Sequence, residues 1–111
     1  MTALQFAQPW RAEKDHLLSV FLDADSQTAV AASVAGLGLS ADQARGLREV
    51  LDSALTATIY TMLLGLDACA SIGGRQESYR LFSASGEQLS GDGRLEESAW
   101  EVFHGTPGDA S

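Results

Sequence analysis

The chain has 111 residues, of which 45% are hydrophobic and 20% charged, a length and composition typical of one globular domain and not of a disordered chain. Fifteen acidic residues face seven lysines and arginines, which gives a formal net charge of −8. This balance argues against nucleic acid and anionic membranes as partners, because both are bound through Lys and Arg, and it leaves a basic protein partner open.

Two short helices are predicted at the start of the chain. The first spans residues 9–23, because Pro9 suits the first turn of a helix. Its apolar residues recur at helical spacing and share one face: Leu17, Leu18, Phe21 and Leu22. The second spans residues 27–35, is rich in Ala and Val, and is predicted to be capped by Ser26.

A long central helix is predicted over residues 41–66, where Ser40 and Gln43 form a capping box. Its first half is amphipathic, with an apolar stripe of Leu47, Val50, Leu51, Ala54 and Leu55. Its second half carries apolar residues in every direction: Ile59, Tyr60, Met62, Leu63, Leu64 and Leu66. A helix that is apolar all round is buried all round, so this half either crosses the core or meets another chain. Gly65 is one candidate for the C-terminal cap, and continuation to Asp67 is the other.

The sequence from residue 79 onwards predicts a small β-hairpin followed by a last helix. Residues 79–82 alternate in polarity, Ser83 to Gly86 have turn chemistry, and residues 87–89 return as a second strand. A final helix over 94–104 would bury Leu95, Ala99, Val102 and Phe103. The predicted class is therefore mainly α with a hairpin (α+β), in one domain over 1–104 with a mobile tail over 105–111.

Targeting signals are not visible in this sequence. The single cysteine, Cys69, cannot pair within the chain, and the start lacks the pattern of a signal peptide, so we expect a cytoplasmic protein. The longest uncharged run, between Asp52 and Asp67, has 14 residues, whereas about 20 are needed to cross a bilayer. We therefore interpret this run as a buried helix and not as a membrane anchor.

The negative charge concentrates towards the C-terminus. Residues 81–111 carry six acids against Arg94 alone, a net of −5, whereas residues 1–80 carry nine acids against six bases, a net of −3. Glu97, Glu101 and His104 share one face of the last helix, with Trp100 at its boundary. This pattern is typical of a solvated helix face and also of a protein contact site. In the second interpretation Trp100, Glu97 and Glu101 make the contacts, while Glu87 and Asp92 steer the encounter.

Residues with catalytic or metal-binding chemistry do not form a recognisable set. Both histidines follow a glutamate by three positions, at Glu13 and His16 and at Glu101 and His104, which is a spacing of di-metal helical proteins. The further glutamates that such a site needs are missing, so neither a metal nor another cofactor is expected. Phosphate-binding, calcium-binding and nucleophile-elbow motifs are also missing, which argues against an enzyme. Cys69 is expected to be a small buried residue.

Three stretches of the second half carry a resemblance. They are LDSALTATIYTMLLGLD over 51–67, SIGG over 71–74 with Gln76 and Tyr79, and GRLEESAWEVFH over 93–104. About half of the chain is in this way similar to small uncharacterised bacterial proteins, some of which resemble immunity proteins that neutralise a cognate toxin. The resemblance implies a bacterial cytoplasmic origin, and it carries over no functional residue.

Three functional hypotheses follow from the sequence, of which the last is an enzyme or metalloprotein built on the two Glu-x-x-His spacings. The first is a non-enzymatic acidic module of the inhibitor or immunity type, which binds a basic protein through the C-terminal surface. The second is a self-associating structural or accessory subunit, which forms a homodimer through the apolar half of the long helix. Its dimer face would consist of Tyr60, Leu63 and Leu64.

Overall fold

The structure, a computed structural model, describes residues 1–105 and contains four helices. They are α1 (Ala3–Leu22), α2 (Ala29–Ala35), α3 (Ala41–Leu66) and α4 (Arg94–Phe103). The predicted order of three N-terminal helices, one of them long, and one C-terminal helix is thus confirmed. Of the predicted tail, residues 106–111 lie outside the described residues.

One hydrophobic core joins α1, the second half of α3, and α4. Its fully or nearly buried members are Ala7, Ile59, Leu63, Leu95, Ala99 and Phe103. Phe6, Trp10, Tyr60, Leu66 and Val102 pack around this cluster. Helix α2 packs on α1, and the first half of α3 extends beyond the core. The radius of gyration is 16.4 Å, compared with about 13 Å for a compact domain of this length.

Helix α1 begins well before the predicted start at Pro9. Thr2 caps it and forms a capping box with Gln5, each side chain accepting a backbone N–H from the other residue. Pro9 lies inside the helix, so the prediction that it opens the first turn is wrong. The capping box satisfies two N–H groups that would otherwise lack partners, and this favours the earlier start. Similarly, Thr28, and not Ser26, caps α2.

Helix α3 has the predicted bounds and the predicted capping box at its N-terminus. Its C-terminus closes in a Schellman motif, in which the N–H of Cys69 bonds the carbonyl of Leu64 and the N–H of Ala68 bonds that of Gly65. The left-handed position of this motif is held by Ala68, at φ 61°, and not by glycine. Gly65 serves packing instead, because a Cβ there would lie 2.5 Å from the Ile72 side chain.

The predicted hairpin, and with it the α+β class, is wrong. Residues 79–91 fold back antiparallel, but in residues 1–105 they form only one isolated bridge, between Phe82 and Gln88. One backbone bond lies on each side of this bridge, from the N–H of Ser83 to Glu87 and from the N–H of Leu89 to Leu81. Serine hydroxyls take the place of the return bonds: Ser90 Oγ accepts the N–H of Leu81, and Ser83 Oγ accepts the N–H of Glu87. Side chains that bond the backbone locally compete with a regular ladder, and a lone two-stranded hairpin is marginal in any case.

The apolar second half of α3 is not buried on every side. Ile59 and Leu63 enter the core, whereas Met62 remains 55% exposed. By length and composition, α3 is one helix that could cross a membrane. In the folded chain, 17% of its most apolar stretch is buried. The alternative in which this half crosses the core is therefore wrong, and the alternative in which its outer side meets another chain stays a prediction.

Candidate functional site

Helix α4 presents an acidic and aromatic face to solvent. Its inner side inserts Leu95, Ala99 and Phe103 into the core. The residues that share its outer side are all exposed, and we call them the α4 face: Glu97, Trp100, Glu101 and His104. Trp100 is 51% exposed, although indoles tend to be buried. The structure thus brings together the three contact residues that the sequence predicted on this helix.

An aromatic ladder connects the α4 face to α3. The ring of Trp100 meets that of His104 edge to face, with centroids 5.5 Å apart. His104 in turn meets Tyr60 of α3 edge to face at 4.5 Å. Such pairs stabilise by about 0.5–1.5 kcal/mol beyond simple burial. Sequence reasoning placed Tyr60 on a dimer face and missed its contact with His104, because the two residues are distant in the chain.

A groove of about 450 Å³ lies beside this ladder, between α3 and the end of α4. Hydroxyl groups dominate its lining, with one carboxylate and two aromatic rings: Asp52, Ser53, Thr56, Ala57, Tyr60, Thr61 and His104. Since these groups include a carboxylate and several hydroxyl acceptors, the groove offers hydrogen-bond acceptors to a cationic or amide-bearing side chain.

Asp67 fixes where α4 begins. Its carboxylate is buried, with 4% of the residue exposed, and it accepts four backbone N–H groups from the segment that leads into α4. One oxygen bonds Gly91, Asp92 and Gly93 at 2.5–3.1 Å, and the other bonds Glu96 at 2.8 Å. Gly93 at the N-cap offers no side chain, so Asp67 acts as the cap from the end of α3.

The sequence predicted the role of Asp67 as an acceptor of backbone N–H groups, but it did not predict which residues donate them. An aspartate that closes an apolar helix predicts a carboxylate bonded to backbone donors, which the structure shows for Asp67. The expected donors belonged to the turn that follows Asp67, whereas the actual donors lie 24–29 positions later. Only the fold brings these segments together.

The two residues predicted to steer the encounter, Glu87 and Asp92, lie near the N-terminal end of α4. Glu87 forms an ion pair with the α-amino group of Met1 and accepts a hydrogen bond from Ser83. These contacts, the amino group first, hold the pKa of Glu87 below its ordinary value. Asp92 accepts the backbone N–H of Arg94 and lies 3.6 Å from its guanidinium. Both carboxylates are paired within the chain, whereas within residues 1–105 Glu97 and Glu101 form no ion pair.

The predicted dimer face is not a surface in this chain. Leu63 is 1% exposed and belongs to the core, while Tyr60 and Leu64 are half-buried. The hypothesis of a homodimer through Tyr60, Leu63 and Leu64 therefore loses its central residue, because the core needs Leu63 for itself.

Cys69 is exposed, and the expectation that it is buried is wrong. Desolvation, a hydrogen bond with Glu96, and the negative charges of Glu96 and Asp67 raise the pKa of its thiol. A raised pKa keeps the sulfur protonated and weakly nucleophilic at neutral pH. Among the described residues, no three His, Cys, Asp or Glu side chains gather as a metal site would require.

Lys14 is a buried charge that the sequence did not reveal. Only 5% of this residue is exposed, and its ammonium lies 2.5 Å from Asp52 and 3.0 Å from Asp15. Burial acts to lower its pKa, but the bonds to Asp52 and Asp15 outweigh this effect and raise it above the ordinary value. The pair with Asp52 ties α1 to α3 beside the groove.

A scan against protein-family models and searches of curated proteins and of solved structures found no match for this chain. The functional argument therefore rests on the geometry of the α4 face and its surroundings.

Proposed function

We propose that this chain is a non-enzymatic protein-binding module of the inhibitor or immunity type, which presents the α4 face to a basic surface of a partner protein. The observation that carries the proposal is the exposure of Trp100 on the same side of α4 as two exposed carboxylates. Glu97 lies one turn before Trp100, Glu101 follows it in the chain, and within residues 1–105 neither carboxylate forms an ion pair. Exposed aromatic residues of this kind are common anchors of protein interfaces.

A partner's arginine or lysine fits the chemistry of this face. One guanidinium can stack on the indole of Trp100, and cationic groups of the same partner segment can bond the carboxylates of Glu97 and Glu101. Lys14 already neutralises Asp52, so what the groove offers a second donor side chain is the hydroxyl groups of Ser53, Thr56 and Thr61. The proposed ligand is therefore a protein segment with clustered basic residues.

Inhibition by such a module requires only a rigid and complementary surface. Asp67 anchors the start of α4, and the ladder of Trp100, His104 and Tyr60 anchors its end. A face held at both ends loses little conformational entropy on binding. The overall negative charge would speed the encounter with a basic partner, and this effect would weaken as salt increases.

A labelled nona-arginine peptide tests the proposal by fluorescence anisotropy at low ionic strength. We expect the double variant Glu97→Lys/Glu101→Lys to weaken binding by at least about tenfold, because it reverses both carboxylates of the face. Trp100→Ala should also weaken binding, although it leaves the net charge unchanged.

The matched control is Asp25→Lys/Glu49→Lys, which changes the net charge equally at exposed positions outside the α4 face. This control should retain most of the affinity. Equal losses in both double variants would show that only the net charge matters, and they would contradict the proposed site.

A further inference from the structure

His104 is the residue of the α4 face whose charge can change near neutral pH. Histidine is the side chain that ordinarily takes up a proton between about pH 8 and pH 5, whereas carboxylic acids are ordinarily ionised over most of this range. The chain has one other histidine, His16, which is exposed on α1 and lies outside the α4 face. The charge of the α4 face near neutral pH therefore depends on the proton of one imidazole.

The C-terminal end of α4 holds this imidazole in place. The backbone N–H of His104 donates to the carbonyl of Trp100 at 2.7 Å, and the N–H of Gly105 donates to the same carbonyl at 2.8 Å. The guanidinium of Arg11, from α1, donates to the carbonyl of Val102 at 3.0 Å. The carbonyl groups at the end of a helix favour a positive charge beside them, so this position suits a protonated imidazole.

The imidazole packs edge to face with two aromatic rings. Its centroid lies 5.5 Å from that of Trp100 and 4.5 Å from that of Tyr60, with interplanar angles of 90° and 86°. An aromatic ring attracts a cation that lies within about 6 Å of its centroid. Trp100 is also the ring on which the partner's guanidinium would stack. A protonated His104 and the partner's guanidinium would therefore use the same indole.

The charged groups of α1 and α3 near this end of α4 are paired with one another. Asp52, which lines the groove together with His104, lies 2.5 Å from the ammonium of Lys14. Arg11, whose guanidinium reaches the end of α4, lies 3.8 Å from Asp15, which is also 3.0 Å from Lys14. Two cations and two carboxylates thus cancel on this side of the imidazole.

The carboxylates of α4 itself are not paired in this way. Glu101 lies one helical turn before His104 and Glu97 lies two turns before it, so all three residues share the outer side of α4. Within residues 1–105 neither carboxylate forms an ion pair. These carboxylates attract a proton on His104 and a partner's cation alike. A proton on His104 therefore offsets one of the two negative charges that a basic partner would meet.

We propose that His104 is a pH-dependent competitor within the α4 face, which when protonated places its own cation beside Trp100 and Glu101 and weakens the binding of a basic partner. This competition rests on the proposed function, because it needs a cationic ligand for the same face. At higher pH the face presents two carboxylates and a neutral imidazole, and at lower pH the imidazole adds one positive charge. The affinity for a basic segment should therefore fall as the pH falls.

Anisotropy measurements with the labelled nona-arginine peptide at about pH 8 and about pH 6, at constant ionic strength, test the competition. Arginine keeps its charge at both values, so only the chain titrates. We expect the wild type to bind about three- to tenfold more weakly at the lower pH, as expected for one added charge near a guanidinium at a solvated surface. His104→Gln should lose most of this difference.

The matched control is His16→Gln, which removes the other exposed histidine and should keep the wild-type difference between the two pH values. Each protein is compared with itself at two pH values, so the loss of an aromatic contact in His104→Gln does not enter the comparison. Groups other than the histidines are the same in both variants. A pH dependence that is equal in the wild type and in His104→Gln would overturn the proposal.

A permanent charge at the same position tests the direction of the effect. His104→Lys should bind the peptide at the higher pH about as weakly as the wild type binds it at the lower pH, and its affinity should vary little with pH. His16→Lys adds the same charge outside the α4 face and should keep most of the affinity. Equal affinities of these two variants at the higher pH would contradict a competition at the α4 face.

An NMR pH titration of the chain without peptide tests the contact between the two rings. The indole N–H signal of Trp100 should move with the same midpoint as the ring signals of His104, whereas the signal of Trp10, which packs against the core, should not follow it. In His104→Gln this movement of the Trp100 signal should disappear. A Trp100 signal that does not follow the titration of His104 would overturn the contact on which the competition depends.

The competition and the proposed function fail in different ways. Peptide binding that is lost in Glu97→Lys/Glu101→Lys but does not change with pH in the wild type would overturn the competition alone. Absence of peptide binding at both pH values would overturn the proposed function and the competition together.

Discussion

At the residue scale, the most consequential side chain is Asp67. Four N–H groups of a segment far along the chain bond its buried carboxylate, so one residue connects the end of α3 to the start of α4. Hydrogen bonds to an ionised acceptor are stronger than those between neutral groups. The placement of the α4 face therefore depends on this carboxylate.

Replacement of Asp67 by asparagine should lower the free energy of unfolding by about 2–4 kcal/mol. Asparagine has one acceptor oxygen, and its NH2 group would face N–H donors. Urea denaturation of the wild type and the variant measures the effect. The control is Asp92→Asn, which alters a partly exposed carboxylate that bonds Arg94 and should cost less than about 1 kcal/mol. Equal costs in the two variants would contradict the role of Asp67.

Lys14 should make stability depend on pH only in the alkaline range. Its pKa is raised in the folded chain, so the stabilisation is complete below the unfolded value of about 10.4 and is lost as the pH rises through the folded pKa. Lys14→Met should remove this alkaline loss, because methionine carries no titrating group. At neutral pH the variant should differ from the wild type by less than about 1 kcal/mol, since burial of the ammonium offsets much of its attraction to Asp52.

Urea titrations of both proteins between pH 7 and about pH 11 measure this difference. A steep alkaline loss that is identical in the wild type and in Lys14→Met would show that another group causes it.

At the scale of secondary-structure elements, the sequence predicted which helices form better than it predicted the residues at which they begin. The capping box of Ser40 and Gln43 located α3 correctly, because both of its hydrogen bonds are local. The same motif at Thr2 and Gln5 was overlooked in favour of Pro9, so α1 was predicted too short. The hairpin failed because Ser83 and Ser90 bond backbone groups that a ladder would use, and such choices depend on tertiary packing.

Pro9 should weaken α1 from within. Proline has no N–H and its ring crowds the preceding turn, so a proline in the helix interior costs about 3 kcal/mol in exposed hosts. Pro9→Ala should therefore raise the free energy of unfolding by about 1–3 kcal/mol, measured by urea denaturation. Gln8→Ala, at the exposed neighbouring position, should change it by less than about 0.5 kcal/mol. A loss of stability in Pro9→Ala would show that contacts of the ring beside Trp10 outweigh the helix defect.

The candidate site was predictable only where its residues lie close together in the sequence. Glu97, Trp100 and Glu101 lie on one helix, so their spacing alone places them on one face. Glu87 and Asp92 were predicted to join them from charge, but charge does not reveal a local partner, and both are paired within the chain. The contact of Tyr60 with His104 joins two helices and leaves no local signal.

At the scale of the whole molecule, charge and apolar surface lie on different faces. The α4 face is acidic and carries an exposed indole, whereas the exposed apolar side chains of Val50 and Met62 lie on α3. Association through the α4 face should weaken as salt increases, because salt screens the attraction between opposite charges. Peptide binding measured over a salt series tests this, and an affinity that does not change with salt would contradict the electrostatic account.

The most direct test of the proposed function is an NMR titration of the two indole N–H signals with the nona-arginine peptide. Trp100 lies on the α4 face, whereas Trp10 packs against the core and serves as an internal reference. The account predicts that the Trp100 signal shifts and saturates with increasing peptide while the Trp10 signal stays in place. An unchanged Trp100 signal, or equal shifts of both signals, would contradict it.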